Sequence, residues 1–391
     1  MKQKSLLIAT ALIIISIALH GYLSLHYYEL HFSPSAADSA CNINSTFNCD
    51  AVALSSYSSV MGIPLATFGM GFHFILLLLT ITLLMGFTSK PERAESLLIN
   101  LAGLSALASI VMGAISFTQM SVYCPNCMVL YAVSIITFLV LLFSQEDRNP
   151  IIHIKYFLQN IDKTSIIWIA LLIITPILSH SILMQKHGGS KTQRYAESGF
   201  NMWKNGISHD LSPLHGITKG DQSSNVHIVE YADFLCPHCK QASKTVKTFL
   251  NANPKVKFTF ATFPLDGVCN PKIQRKGFGV TCRLSASILC APNEKLAWEL
   301  HDFIFEHQQD FMSMSQTNNV DLKLKEVAGD IDFEKFQACM DSEETYKKLA
   351  ENATTADEAG LEGTPTFYVN GKKISNMLLI PVLNKIVNDL N

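Results

Sequence analysis

The sequence predicts a multidomain chain: an α-helical transmembrane bundle of five spans, followed by an α/β domain outside the membrane. Three observations predict it. Charged residues make up only 16% of the 391 residues, against about 25% in an ordinary soluble domain, and the deficit is concentrated before residue 185. Long apolar runs fill that first half, while the second half carries strand-like and helix-like patterns in turn. Ten cysteines, four of them in two CxxC motifs, lie in or beside the more polar segments, the usage of a redox protein in an oxidising compartment.

A membrane-crossing helix takes roughly 20 apolar residues. Five runs meet that length, at about 5–27, 63–87, 96–119, 126–144 and 165–185. Gly103, Ala106, Gly113 and Ala114 punctuate the third, as where membrane helices pack closely. The first run follows MKQK and can also be read as a signal peptide. Its best small-residue cleavage site, Ser39-Ala40, is far downstream, so a retained span is expected. Lys2, Lys4, Lys90, Arg93, Arg148, Lys155 and Lys163 fall on one side of the spans, and the 28–62 loop has no Lys or Arg. Basic loops stay cytoplasmic. The N-terminus is therefore expected in the cytoplasm, with the 28–62 loop, the 120–125 turn and everything after 186 outside. Every cysteine then lies on or beyond the outer face. A net charge of −2 without Lys/Arg runs gives no basis for a nucleic-acid partner.

Cys41 and Cys49 sit in the outer loop, and Cys124-Pro-Asn-Cys127 opens the fourth span. A thiol at a helix N-terminus gains thiolate character from the helix dipole and its free N–H groups. A loop dithiol could thus pass electrons by exchange to a disulfide at the membrane edge. Structural zinc is the competing use of four cysteines, but the CxxC…CxxC of a zinc ribbon is missing here, so no metal is expected. The order Cys41…Cys49-Asp-Ala-Val-Ala-Leu-Ser55, then Gly62-Ile-Pro64 before a span, then CPNC at a helix start, resembles the vitamin K epoxide reductase family over about residues 1–145. The resemblance implies a four-helix core with the fifth span as a tether. It implies a loop pair at Cys41 and Cys49 and an active-site pair at Cys124 and Cys127, with Cys127 facing a quinone. It also implies a hydroxyl near the quinone at Ser55 and a carbonyl hydrogen bond from Tyr131. By themselves Ser55 could be a helix cap and Tyr131 an interfacial tyrosine. His73, ionisable inside the second span, is a candidate by position alone and is not assigned to the site.

Residues 186–199 (KHGGSKTQRYAESG) are polar and Gly-containing and read as a linker between domains at 1–185 and 200–391. Val226-His-Ile-Val-Glu-Tyr231 has the β-branched content of a buried strand. It runs into Cys236-Pro-His-Cys239, then a helix to about 252 and a strand at 257–262. Gly363-Thr-Pro365-Thr-Phe-Tyr-Val-Asn-Gly371 reads as turn, strand and hairpin, and the last helix is expected at about 379–389. The stretch 283–360 is mostly helical by pattern. This order resembles the thioredoxin fold, and the helical insertion with Cys-Pro-His-Cys resembles its DsbA-like branch, over about 200–391. Cys236 is then the nucleophile, favoured as thiolate by the helix N-terminus and by His238, and Cys239 is the resolving thiol. Glu230 matches a buried acid that can shuttle a proton for Cys239; the plainer alternative is an exposed carboxylate at a strand end. Pro365 is expected to be cis. The step from a thioredoxin-like to a DsbA-like potential is about 150 mV, roughly 7 kcal/mol, so electrons are expected to enter this domain from substrates. Cys269, Cys282, Cys290 and Cys339 allow three pairings; loop proximity and the DsbA-like pattern favour the structural bridges Cys269–Cys282 and Cys290–Cys339.

These resemblances imply a quinone-dependent protein thiol-disulfide oxidoreductase of the bacterial inner membrane. Reduced exported proteins would feed Cys236–Cys239, then Cys41–Cys49, then Cys124–Cys127, and finally ubiquinone or menaquinone dissolved in membrane lipid. Three other readings use the same residues: a reductase or isomerase working outward, a reductase of vitamin K epoxide, and a non-catalytic protein holding a soft metal at its CxxC motifs.

Overall fold

The computed structural model describes residues 3–32, 39, 41–44, 46–55, 57–120, 122–145, 148–159, 163–187, 189–374 and 379–390. The chain divides into two compact units, Met1–Lys191 and Thr192–Asn391.

The first unit is helical. It comprises α1 (Gln3–Phe32), a short α2 (Cys49–Leu54), a two-stranded hairpin of β1 (Ser59–Val60) and β2 (Ile63–Pro64), α3 (Leu65–Leu84), α4 (Pro91–Gln119), α5 (Pro125–Leu142), α6 (Pro150–Gln159) and α7 (Lys163–Lys186). Of these, α1, α3, α4, α5 and the Ile166–Lys186 part of α7 are long and apolar enough to cross a membrane. Each boundary has a local cause. Pro91 and Pro125 stand at first-turn positions, where a missing N–H costs nothing. α3 ends on Gly86 at φ +70°, with Gly86 N–H bonded to Leu83 O and Phe87 N–H to Thr82 O. That left-handed cap needs a residue without Cβ. The shared core takes Ile13, Ile75, Leu76, Leu98 and Leu141 from four helices. Polar links between helices include the Ser24 and Thr67 hydroxyls, 2.6 Å apart, and Tyr28 Oη, 2.6 Å from His180 Nδ1. Gly71 lets α3 approach α7, since a Cβ there would lie 3.2 Å from Thr175 Oγ1.

The second unit holds α8 (Gly189–Lys204), β3 (Gly216–Lys219), β4 (His227–Ala232), α9 (Pro237–Ala252) and β5 (Lys257–Thr262). Then come α10 (Val280–Cys290), α11 (Glu294–Glu306), α12 (Gln308–Met312), α13 (Thr317–Ala328), α14 (Phe333–Met340) and α15 (Glu343–Glu358). β6 (Thr366–Val369), β7 (Lys372–Ile374) and α16 (Leu379–Leu390) close the chain. The five-stranded sheet has the order β3-β5-β4-β6-β7. β4 pairs parallel with β5 and antiparallel with β6. Central β4 is covered on both faces, which fits the β-branched content of Val226–Tyr231 and buries Glu230 with its apolar neighbours. Phe234, Phe249, Phe258, Phe260 and Phe311 fill one core; Val229, Tyr231, Tyr368 and Ala356 fill the other. The β6–β7 turn uses Asn370 (φ +50°) and Gly371 (φ +77°), the pairing that suits a tight hairpin.

One expectation is corrected here. The polar stretch 186–199 is not an open linker, because α8 covers most of it. Ala196, Phe200 and Trp203 recur at helical spacing and pack on the core, and Trp203 Nε1 donates to Val369 O at 3.0 Å. Gly189 stands at its first position. β3 and α6 are additions that the sequence pattern does not announce.

Candidate active site

Each unit carries one sulfur constellation. In the first, a strand-like bridge between Phe47 and Tyr123 docks the outer loop onto the start of α5. Tyr123 N–H donates to Thr46 O at 2.7 Å, and Asn48 N–H to Tyr123 O at 2.9 Å. The Asn48 side chain then accepts from Ala51 N–H at 2.8 Å, starting α2 at Cys49. The loop is thus fixed from both sides of its cysteine. Cys41–Cys49 and Cys124–Cys127 are both disulfides. Cys49 Sγ lies 3.6 Å from Cys124 Sγ, and the Sγ atoms of Cys41, Cys49 and Cys124 all lie within 4.8 Å of one another. All three cysteines are buried. With both cysteines bonded, the 3.6 Å approach is a sulfur–sulfur contact, the arrangement from which one disulfide is attacked by the other pair's thiolate. Cys124 caps α5: its Sγ accepts from Cys127 N–H at 3.1 Å, so negative charge there is favoured by the helix end.

This contact gives a direct expectation. In a Cys41→Ser/Cys127→Ser double variant, Cys49 and Cys124 should close a disulfide with each other under mild oxidation. Peptide mass mapping reads the cross-link; free thiols at both positions would contradict the geometry.

A cavity of about 400 Å³ opens beside these sulfurs and is lined by Cys49, Cys124, Cys127, Tyr131 and Ser134, with Phe68, Phe72 and Met112 among its apolar walls. That size suits one small ring system. Tyr131, one turn below Cys127, lies against α4 where Gly113 leaves room; a Cβ there would be 3.6 Å from Tyr131 Cδ2. Ser55 departs from expectation. It caps the end of α2, its hydroxyl donates to Val52 O at 2.7 Å, and it is not a lining residue. Ser58 is. The residue missed altogether is His20, which lines the cavity together with His73. An ionisable group inside an apolar span was the available signal.

In the second unit, Cys236 and Cys239 are free thiols, Cys236 half-buried and Cys239 buried. Cys236 caps α9. Its pKa is lowered to about 5, first by the hydrogen bond from Cys239 and then, against partial burial, by the Cys239 and His238 backbone N–H groups. His238 therefore acts on the sulfur through its main chain. The Thr364–Pro365 bond is cis, and Thr364 O lies 3.4 Å from Cys236 Sγ. Gln308 Nε2 donates to Phe234 O at 2.8 Å and Cys236 O at 2.9 Å, so α12 holds the loop that enters α9. Asp233, also missed, accepts from Leu235 N–H, Leu265 N–H and Thr281 Oγ1, each at 2.7 Å.

Glu230 is 1% exposed, and its Oε1 has no hydrogen-bond partner. Burial, helped by charge at Cys236, pushes its pKa up to about 8. Burial, the hydrogen bond to Cys236 and the Glu230 charge push Cys239 well above the ordinary thiol range. One thiol of the pair is thus a ready nucleophile and the other a held proton. The rate of Cys236 alkylation should accordingly rise through a midpoint near pH 5; a midpoint near the ordinary thiol value, about 8.5, would contradict this. Cys269–Cys282 and Cys290–Cys339 are disulfides, each with Cα atoms 5.8 Å apart. They brace the helical insertion.

Known proteins resemble the chain in two blocks. Residues 7–142 match the model of the vitamin K epoxide reductase family, and residues 214–389 match a thioredoxin family model. Disulfide bond formation protein D of Bacillus subtilis is 25% identical over 162 residues, 40% of this chain and 68% of that protein. The Na(+)/H(+) antiporter NhaA 3 of Salinispora tropica is 30% identical over 164 residues, 42% of this chain and 23% of that protein. The chain thus spans about a quarter of the antiporter relative it matches. Among solved structures, oxidised BdbD from Bacillus subtilis is 19% identical, with a TM-score of 0.40 over 47% of this chain and 97% of that one.

Proposed function

We propose that this chain, a vitamin K epoxide reductase family domain joined to a thioredoxin domain, oxidises dithiols of exported proteins and delivers the electrons to a membrane quinone. The observation that carries this reading is the 3.6 Å approach of Cys49 to Cys124 beside a cavity that Cys127 and Tyr131 line. Substrate thiolates attack the Cys236–Cys239 disulfide at the more exposed Cys236 and displace Cys239; Cys236 then leaves as thiolate when the second substrate thiol closes the substrate's own disulfide. The reduced pair is reoxidised by Cys41–Cys49, and Cys49 passes the pair of electrons to Cys124–Cys127. Cys127 faces the cavity and Tyr131 offers a hydroxyl to a carbonyl oxygen. The quinone, ubiquinone or menaquinone, supplies the terminal two-electron acceptor when bound. Ser55 braces this site by ending α2 after Cys49. The covalent tether raises the effective concentration of the thioredoxin pair at its oxidase. The distribution of Lys and Arg supports an inner-membrane protein with a cytoplasmic N-terminus and its sulfurs outside.

The test is oxidation of a reduced model peptide by purified full-length protein without oxygen. Turnover is expected with added quinone and not without it; quinone-independent turnover overturns the reading. Three sulfurs within 4.8 Å also suit a soft metal when reduced. Metal bound stoichiometrically by reduced protein, with no turnover, would favour that second reading.

A further inference from the structure

We propose that His20 and His73 form a proton-transferring pole of the cavity, acting on one carbonyl oxygen of the bound quinone. The inference rests on the quinone reading above.

Both imidazoles line the cavity, and their ring centroids are 5.0 Å apart, tilted by 39°. His73 Nδ1 lies 2.8 Å from Gly69 O. A carbonyl only accepts, so Nδ1 carries the hydrogen and Nε2 of the neutral ring is left as an acceptor. His20 Nδ1 is buried with no partner at all, a state that is rare and needs an explanation. Gly69 is what permits it: a Cβ at that position would overlap the His20 ring, so the ring rests directly on the α3 backbone one turn before His73. Two helices thus bring two imidazoles together in a wall whose other polar side chains are hydroxyls and cysteine sulfurs. No Asp, Glu, Lys or Arg is among the described lining residues. Imidazole is the one side chain there that ordinarily exchanges a proton near neutral pH.

The step balances with no further reagent. Closing Cys124–Cys127 forms one S–S bond and releases two electrons and two protons, and turning two carbonyls into hydroxyls takes up the same. His20 gives a ring proton to the oxygen, and His73 Nε2 accepts a thiol proton and refills His20. The pair ends as it began. The second thiol proton reaches the other oxygen through Tyr131, whose hydroxyl gives its own proton to that oxygen and takes up this one, so Tyr131 also ends as it began.

The test uses full-length protein with ubiquinone-1 as acceptor. His20→Phe and His73→Phe are expected to lower kcat by about 10- to 100-fold, toward the lower range for a general acid–base group. Peptide oxidation by Cys236–Cys239 in a single turnover without quinone should stay at the wild-type rate. His73→Asn retains a donor for Gly69 O and loses Nε2. A bracing role predicts that it restores kcat; proton transfer predicts that it stays slow. Wild-type kcat in His73→Asn or in the His20 variant overturns the proposal. A wild-type protein that reduces no quinone overturns the underlying reading instead. Where a Phe variant fails to fold, His20→Gln and His73→Asn, matched to wild type in melting temperature, decide the same question.

Discussion

Replacing Cys127 by alanine should leave Cys236 and Cys239 reduced in growing cells, where the proposed path predicts a mostly oxidised wild-type pair. The reason lies in the geometry of transfer. Cys49 reaches Cys124 at 3.6 Å, so exchange from the loop ends on Cys124. Without Cys127, Cys124 can hold a mixed disulfide but cannot close the bond whose re-formation discharges two electrons. Every pair upstream then fills and stays reduced. Alkylation of trapped thiols, read as a mass shift on the Cys236 peptide, measures this. A Cys269→Ala/Cys282→Ala variant controls for general loss of cysteines, because that bridge braces the insertion and is outside the path. Cys236 remaining oxidised in the Cys127 variant would break the proposed chain of transfer.

Glu230→Gln should stabilise the second unit at neutral pH and slow its thiol chemistry. Glu230 is buried on central β4 with its pKa pushed up to about 8, whereas in the unfolded chain it ionises near its ordinary value, about 4.3. Between those values the unfolded state binds fewer protons than the folded one, so stability falls as pH rises. At pH 7 the loss is on the order of 3 kcal/mol. Glutamine keeps the shape and has no charge to release, so the variant should gain most of that difference by pH 7 and lose little over this window. Urea unfolding of the full-length protein, followed by hydrogen exchange of β4 amides from pH 4 to 8, reads the slope. If Glu230 shuttles the Cys239 proton, as the resemblance implies, resolution of mixed disulfides by Cys239 should slow about 10- to 100-fold. A variant with the same pH slope as the wild type would show that Glu230 is ionised in the fold.

The contrast between these residues shows what the sequence can carry. Cys124 and Cys236 were legible because proline and cysteine at the start of an apolar or amphipathic run have a local meaning, helix capping, that follows from a few adjacent residues. Glu230 was legible only through the resemblance, six residues before Cys236, and its burial on β4 decides against the exposed carboxylate. Ser55 was read by distance along the chain from Cys49, and the structure turns it back to cap α2 while Ser58 lines the cavity. α8 was hidden by its polar composition, since of its stripe Ala196, Phe200 and Trp203 only Ala196 falls within the polar stretch 186–199. His20 and His73 lie in separate spans, 53 positions apart in the chain. Their meeting depends on Gly69 leaving space for a ring across a helix contact, and no periodicity reports that.

The most direct measurement is a thiol count on fully reduced, full-length protein mixed anaerobically with a short-chain quinone. The account predicts that Cys124–Cys127 closes first, then Cys41–Cys49, then Cys236–Cys239, with one quinol formed for each disulfide. Thiols that persist in the presence of quinone, or disulfides that close without forming quinol, would contradict it.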